Sequence, residues 1–113
     1  MRAINFTKNQ IIAEKLECAD TLFARMRGLL GRESMPAGSG MLIKSCKGIH
    51  TFCMKFPIDV IFLDKDNVVL SLEKRLPPNR LTRIYFRASS VLELPAGKIE
   101  DASTNIGDKI NIY

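Results

Sequence analysis

Residues 46 to 59 hold the sole histidine of this sequence and two of its three cysteines. Cys46, His50 and Cys53 follow the spacing C-x3-H-x2-C, a partial metal-ligand pattern, and Asp59 stands just beyond among the apolar residues of FPIDVIFL. On a strand, side chains alternate faces and advance about 3.3 Å per residue. Cys46 and His50 then share a face roughly 13 Å apart, and Cys53 points the other way. With no fourth ligand in view, neither a metal centre nor any other cofactor is expected. The same spacing argues against a nucleophilic pair, because thiol and imidazole must approach to about 3 Å. Cys53, between Phe52 and Met54, reads as a buried inert thiol. His50, the only histidine, lies beside Phe52 and Phe56, where such a residue is ordinarily packed or at the surface.

The acids are more informative. Asp59 shares a strand face with Ile61 and Leu63, and Glu93 sits between Leu92 and Leu94 in VLELPAG. An ionised carboxylate among apolar residues needs an arginine, backbone N–H groups or solvent in a cleft. Arg25, Arg27 and Arg32 are the arginines best placed to serve. If the two acids lie close together, they can do general acid/base work with His50, as in a small hydrolase. Ion-pair scaffolds perturb carboxylates as well, and the scaffold reading is the favoured one. DKDN at 64 to 67 begins like a calcium loop, but the sixth and twelfth positions are Val69 and Arg75 instead of glycine and glutamate. It reads as the turn joining IDVIFL to VVLSL.

The elements that position these residues are mostly strands. AINF, TKNQ and IIAEKLECA read as two short strands around a polar turn. ADTLFARMRGLLGR is the one convincing helix, near residues 20–30, with Asp20 as cap and Leu22, Phe23, Met26, Leu29 and Leu30 on one face. After the loop ESMPAGSG, the runs GMLIKS, IHTFCMKF, IDVIFLD, NVVLSLE, SSVLELP and IGDKINIY are rich in β-formers and separated by turn residues. The fold class expected is mainly β (α+β): a small curled antiparallel or mixed sheet, or a partial barrel, carrying one short helix.

The length of 113 residues suits a single domain, 1–113, able to bury one core without staples. No apolar run reaches the ~20 residues of a membrane helix, and the N-terminus lacks the apolar block of a signal peptide. With three cysteines, an odd set, free thiols and a cytoplasmic location are the expectation. The net charge of +5 is concentrated in KRLPPNRLTRIYFR, residues 74 to 87, where Lys74, Arg75, Arg80, Arg83 and Arg87 have no acid among them. Interleaved with Tyr85 and Phe86, this segment suits phosphate or an acidic partner, although five charges are few for a nucleic-acid footprint.

Several stretches occur together in a recognisable order: RGLLGR at 27 to 32, GML at 40 to 42, IHTFCMKFPIDVIFLD at 49 to 64, VLELPAG at 91 to 97 and IGD at 106 to 108. In this the chain resembles the prokaryotic family known as domain of unknown function 192, from the helix to the last strand. The resemblance implies a small mainly β domain and brings no established reaction, substrate or cofactor. Members are often exported, whereas this sequence shows no signal segment and is more basic at 74–87. The family's signature residues fall here on Arg27, Gly28, Gly31, Arg32, Gly40, Met54, Pro57, Asp59, Asp64, Glu93, Gly97 and Asp108. Arg27, Arg32, Asp59 and Glu93 are the hardest to assign to folding alone, and a cleft formed by them with His50 is the site expected.

A binding or accessory module, taking a small-molecule or protein partner in that cleft, is therefore the first functional reading. A small hydrolase using Asp59 or Glu93 with His50 is one alternative. Nucleic-acid or acidic-partner binding through residues 74–87 is the other.

Overall fold

In the computed structural model, which describes residues 1–19 and 32–113, eight strands form two sheets. The strands are β1 (Ala3–Asn5), β2 (Gln10–Ala13), β3 (Lys15–Ala19), β4 (Ser39–Lys44), β5 (Ile58–Leu63), β6 (Val69–Leu76), β7 (Ser90–Pro95) and β8 (Ile110–Ile112). The larger sheet has the order β3-β4-β7-β5-β6, and the smaller is β2-β1-β8. Only β3 and β4 run parallel; the other pairs are antiparallel, so the larger sheet is mixed. The mainly β class holds, as two sheets and not a closed barrel. The helix expected near residues 20–30, with Arg25 and Arg27, lies outside the described residues. A short helix that the sequence did not announce, α1 (Lys98–Asp101), follows β7.

The strand β5, IDVIFL, is buried at every position. Paired with β6 on one side and β7 on the other, it is covered on both faces, which explains its nearly continuous apolar run. Ile58, Val60 and Phe62 join one hydrophobic cluster with Met41, Ile43 and Val91. Ile61 and Leu63 join a second with Leu42, Leu92 and Leu94, closed by Ala3 and Ile110 of the small sheet. Each large aliphatic side chain removed from water in this way contributes about 1.5–3 kcal/mol.

Three segments differ in detail from expectation. IIAEKLECA is two strands in different sheets: the Glu14 and Lys15 N–H groups both donate to the Gly38 carbonyl as the chain crosses over, at 2.8 and 3.0 Å. That crossing accounts for its imperfect alternation. IHTFCMKF is not a strand; it is a looped segment whose Cys53 has φ +65°. DKDN is the β5–β6 turn, where Asp64 Oδ1 accepts from the Asp66 and Val68 N–H groups at 2.8 and 3.0 Å and Asn67 takes φ +59°.

One end of the small sheet is tied by a polar network. Buried Asn5 on β1 donates through Nδ2 to Thr104 Oγ1 (3.0 Å) and Asp108 Oδ2 (2.9 Å), and the Asn105 N–H donates to the same carboxylate oxygen at 2.9 Å. Lys8 Nζ completes it at 2.9 Å. Burial alone would raise the Asp108 pKa; the Asn5 amide, the Asn105 N–H and Lys8 outweigh it and hold the carboxyl below its ordinary value. A depressed folded-state pKa contributes stability above the unfolded value, about 3.9, that is lost as pH falls through the lower folded value. Asp108→Asn is accordingly expected to destabilise the protein near neutral pH, with the gap to wild type narrowing below about pH 4. Urea unfolding across that range checks this, and a gap independent of pH would refute it.

Candidate functional site

Asp59 and Glu93 are both fully buried, and they do not meet. In the β5–β7 register Asp59 pairs with Leu94 while Val60 pairs with Glu93, so the two carboxylates leave opposite faces of the sheet. This register keeps the two carboxylates from acting as a pair. Glu93 shares its face with Val60 and Met41, and it is engaged in an interaction there.

Asp59 faces the other cluster, and its two oxygens go to the backbone. Oδ1 accepts from the Arg75 N–H and Oδ2 from the Ile99 N–H, each at 2.8 Å. The Arg75 donor is available because β6 carries a bulge: Val60 pairs with Glu73 and Ile58 with Leu76, leaving an extra residue, with Arg75 at φ +51°. The Ile99 donor belongs to the first turn of α1, which starts after Gly97 at φ +96°. A side chain at Gly97 would also crowd the Arg75 guanidinium, 3.2 Å from where a Cβ would stand. Asp59 thus joins β5, the β6 bulge and the start of α1. Among the partners foreseen for it, backbone N–H groups take the place given to arginine.

Arg32 is exposed and lines a hollow of about 270 Å³ with Glu14, Glu17 and the Pro36–Ser39 turn, at the β3 edge. Arg27 lies outside the described residues. His50 is half-buried; its ring stacks on Phe52 at 5.1 Å, and its Nδ1 accepts from the Phe52 N–H at 3.3 Å. The flanking Ile49 and Phe56 pack in the cluster that Val60 and Val91 belong to, on the side opposite Asp59. Cys46 is buried with its Sγ on the Gly48 carbonyl at 3.1 Å, Cys53 is exposed, and none of the three cysteines is in a disulfide.

What the structure does assemble is a two-loop surface. Residues 47–53 and 77–85 run against each other: Thr82 N–H donates to Ile49 O, Tyr85 N–H to Lys47 O, and Asn79 N–H to Thr51 O. Thr51, fully buried, donates its hydroxyl to Pro77 O at 2.7 Å and accepts from the Arg80 N–H at 2.9 Å. Gly48 eases the close approach of the loops, because a Cβ there would stand 3.1 Å from the Arg83 carbonyl oxygen. Tyr85 fixes the pair to the sheet by packing on Phe62, ring to ring at 4.4 Å. The chain alternates along both loops: Ile49, Thr51 and Thr82 point inward, while His50, Phe52, Leu81 and Arg83 are outward.

The exposed side chains of these loops are mostly apolar and basic. Phe52 is 46% exposed, Leu81 71%, Ile84 57% and Phe86 80%, beside exposed Arg80, Arg83 and Arg87. Ile84, Tyr85, Phe86 and Arg87 also line a groove of about 360 Å³ against Leu70. Lys74 and Arg75 belong to β6, with Arg75 turned to Gly97, so the basic segment divides in two. In the sequence Phe52 falls in a run that reads as a strand, and Leu81 and Ile84 fall in a segment marked chiefly by its charge. The inward threonines, each alternating with residues of a different character, were the signal that a paired surface was present.

Two substitutions test this anatomy. Asp59→Asn places an N–H group against a backbone N–H and is expected to cost about 2–3 kcal/mol in urea unfolding; unchanged stability would remove Asp59 from its tying role. Thr51→Val keeps shape while stranding the Arg80 N–H, and is expected to speed amide exchange at Asn79 and Arg80 by about tenfold or more. Uniform exchange across the protein would show that the hydroxyl does not hold the loops.

Comparison with known proteins agrees with this architecture. The chain is 35% identical over 112 residues to a UPF0127 protein of Thermococcus sibiricus, an alignment covering 96% of this chain and 72% of that one. A solved protein of unknown function from Novosphingobium aromaticivorans superposes with a TM-score of 0.75 at 21% identity, over 86% of this chain and 74% of its own. Another from Sinorhizobium meliloti, provisionally designated a transcription regulator, gives 0.72 at 23%, over 85% and 79%. At those identities the likeness is one of fold. The profile of the family DUF192, described as Uncharacterized ACR, matches residues 3–112. On this near-complete match and the identity to a curated relative, the protein belongs to the DUF192 family.

Proposed function

We propose that this protein is a binding module that captures an acidic protein segment on its two-loop surface. The observation that carries the reading is the exposure of Phe52, Leu81, Ile84 and Phe86 on a surface held by paired backbone hydrogen bonds. Exposed large apolar groups spaced along paired loops, with arginines among them, are the composition of a protein-recognition surface. Because the loops are already zipped together, little ordering entropy is lost on binding. The groove against Leu70 suits one apolar anchor of the partner, and Arg80, Arg83 and Arg87 suit carboxylates flanking it.

Nucleic acid is the less favoured occupant. Phosphate footprints commonly engage on the order of 6–10 contacts. The surface offers three arginines, and the nearby Lys47 ammonium is occupied by the Phe86 and Ala88 carbonyls at 2.7 and 3.0 Å. The designation of the Sinorhizobium structure as a transcription regulator describes a protein 23% identical, which carries the fold alone.

The test is an NMR titration with short acidic peptides bearing one leucine or phenylalanine, set beside a single-stranded oligonucleotide. Peptide-induced shifts are expected at residues 47–52 and 80–87. Arg80→Gln/Arg83→Gln/Arg87→Gln is expected to weaken that binding about tenfold or more with unchanged unfolding. Tighter binding of the oligonucleotide, with a steep salt dependence, would transfer the surface to nucleic acid. Absence of shifts at these residues would end the proposal.

A further inference from the structure

A second concavity lies at the rim between the two sheets. Three chain ends meet there: β4 finishes at Lys44, β7 begins at Ser90, and β5 passes from Leu63 into the Asp64–Asn67 turn. The register sets Lys44 opposite Ser90 and Ser90 opposite Leu63, so these side chains share the face that the small sheet covers. The small sheet stops short of this corner and leaves a cavity of about 480 Å³, with Leu42 at its floor and Ile112 on one wall.

The polar lining is rich in donors. Lys44 and Lys65 bring two ammonium groups, and Ser45, Ser89 and Ser90 bring three hydroxyls. The one acid present, Asp64, already has Oδ1 committed to the Asp66 and Val68 N–H groups. Among the described residues, the side chains of those two lysines and three serines form no hydrogen bond or ion pair with protein. Ser45 is held at φ +54°, a left-handed conformation that costs a non-glycine residue on the order of 1 kcal/mol. It is fixed there by its N–H donating to Ser89 O at 2.8 Å.

We infer that this cavity is a site for a small phosphate monoester. A phosphoryl group presents three terminal oxygens and a double negative charge, enough to engage both lysines and the serine hydroxyls together. A carboxylate has only two oxygens and would leave part of that donor set idle. The volume falls in the range of small-molecule sites, roughly 300–1,000 Å³, and exceeds what a bare phosphate fills. The organic part of the ligand lies on Leu42 and Ile112. The site shares no residue with the two-loop surface, so the two proposals stand or fall separately.

Calorimetric titration of the full chain with phenyl phosphate, inorganic phosphate and benzoate, combined with amide shifts, tests the assignment. Phenyl phosphate is expected to bind more tightly than either of the others, with shifts at Ser45, Ser89 and Ser90. Lys44→Gln/Lys65→Gln is expected to weaken it about tenfold or more, and Ser90→Ala less. Both lysines are exposed, so the double variant is expected to keep the wild-type unfolding curve. The Arg80→Gln/Arg83→Gln/Arg87→Gln variant is expected to bind as wild type does. No saturable binding, shifts confined to other residues, or full affinity in the lysine double variant would overturn the site. Equal affinity for benzoate would overturn its phosphoryl specificity.

Discussion

A carboxylate with no solvent exposure has to find its hydrogen bonds inside the protein, and in this fold Asp59 finds them on two separate backbone elements. That requirement organises what surrounds it. The β6 strand must bulge for the Arg75 N–H to reach inward, and the chain after β7 must turn sharply at Gly97 for the Ile99 N–H to reach from the opposite direction. The short α1 is therefore placed by a side chain on β5. An arginine in the same role would have brought a bulky stem into a cluster already filled by Ile61, Leu92 and Leu94, whereas backbone N–H groups bring no such volume.

The central strand that carries Asp59 separates two chemistries. One face is closed by the small sheet, whose ties run from Asn5 to Thr104 and Asp108. The other is closed in part by the paired loops, through Ile49, Met54 and Phe56. Where the small sheet ends, a lysine- and serine-lined cavity opens; where the loops turn outward, apolar and basic side chains collect. Neither surface uses the two buried acids. Their carboxylates leave opposite faces of the same sheet, so the two cannot act as a pair on one group.

The two-loop surface depends on small residues hidden beneath it. Thr51 and Thr82 satisfy backbone groups that a pair of irregular loops would otherwise leave unpaired, and Gly48 eases the approach of the Arg83 carbonyl. Their inward commitment forces Leu81, Arg83 and Phe52 outward. The exposure of these residues is a consequence of backbone satisfaction as much as of composition.

Much of this architecture was legible in the sequence. The apolar runs of β4 through β8 announced themselves because burial of one or both faces leaves a direct mark on residue type, and DKDN announced a turn because aspartate and asparagine bond their own backbone. The need of Asp59 and Glu93 for partners followed from the cost of burying charge. Only the tertiary structure decided which partners Asp59 took, since backbone N–H groups are offered by every residue and their availability depends on a bulge and a helix start distant in the chain. It also decided that Asp59 and Glu93 part company, because strand pairing, not local sequence, sets which residues of neighbouring strands share a face. IHTFCMKF reads as a strand by composition yet is a loop, since its hydrogen bonds go to residues 77–85, whose position is fixed by the fold as a whole. Composition records burial and local turns faithfully; register and long-range pairing are properties of the assembled chain.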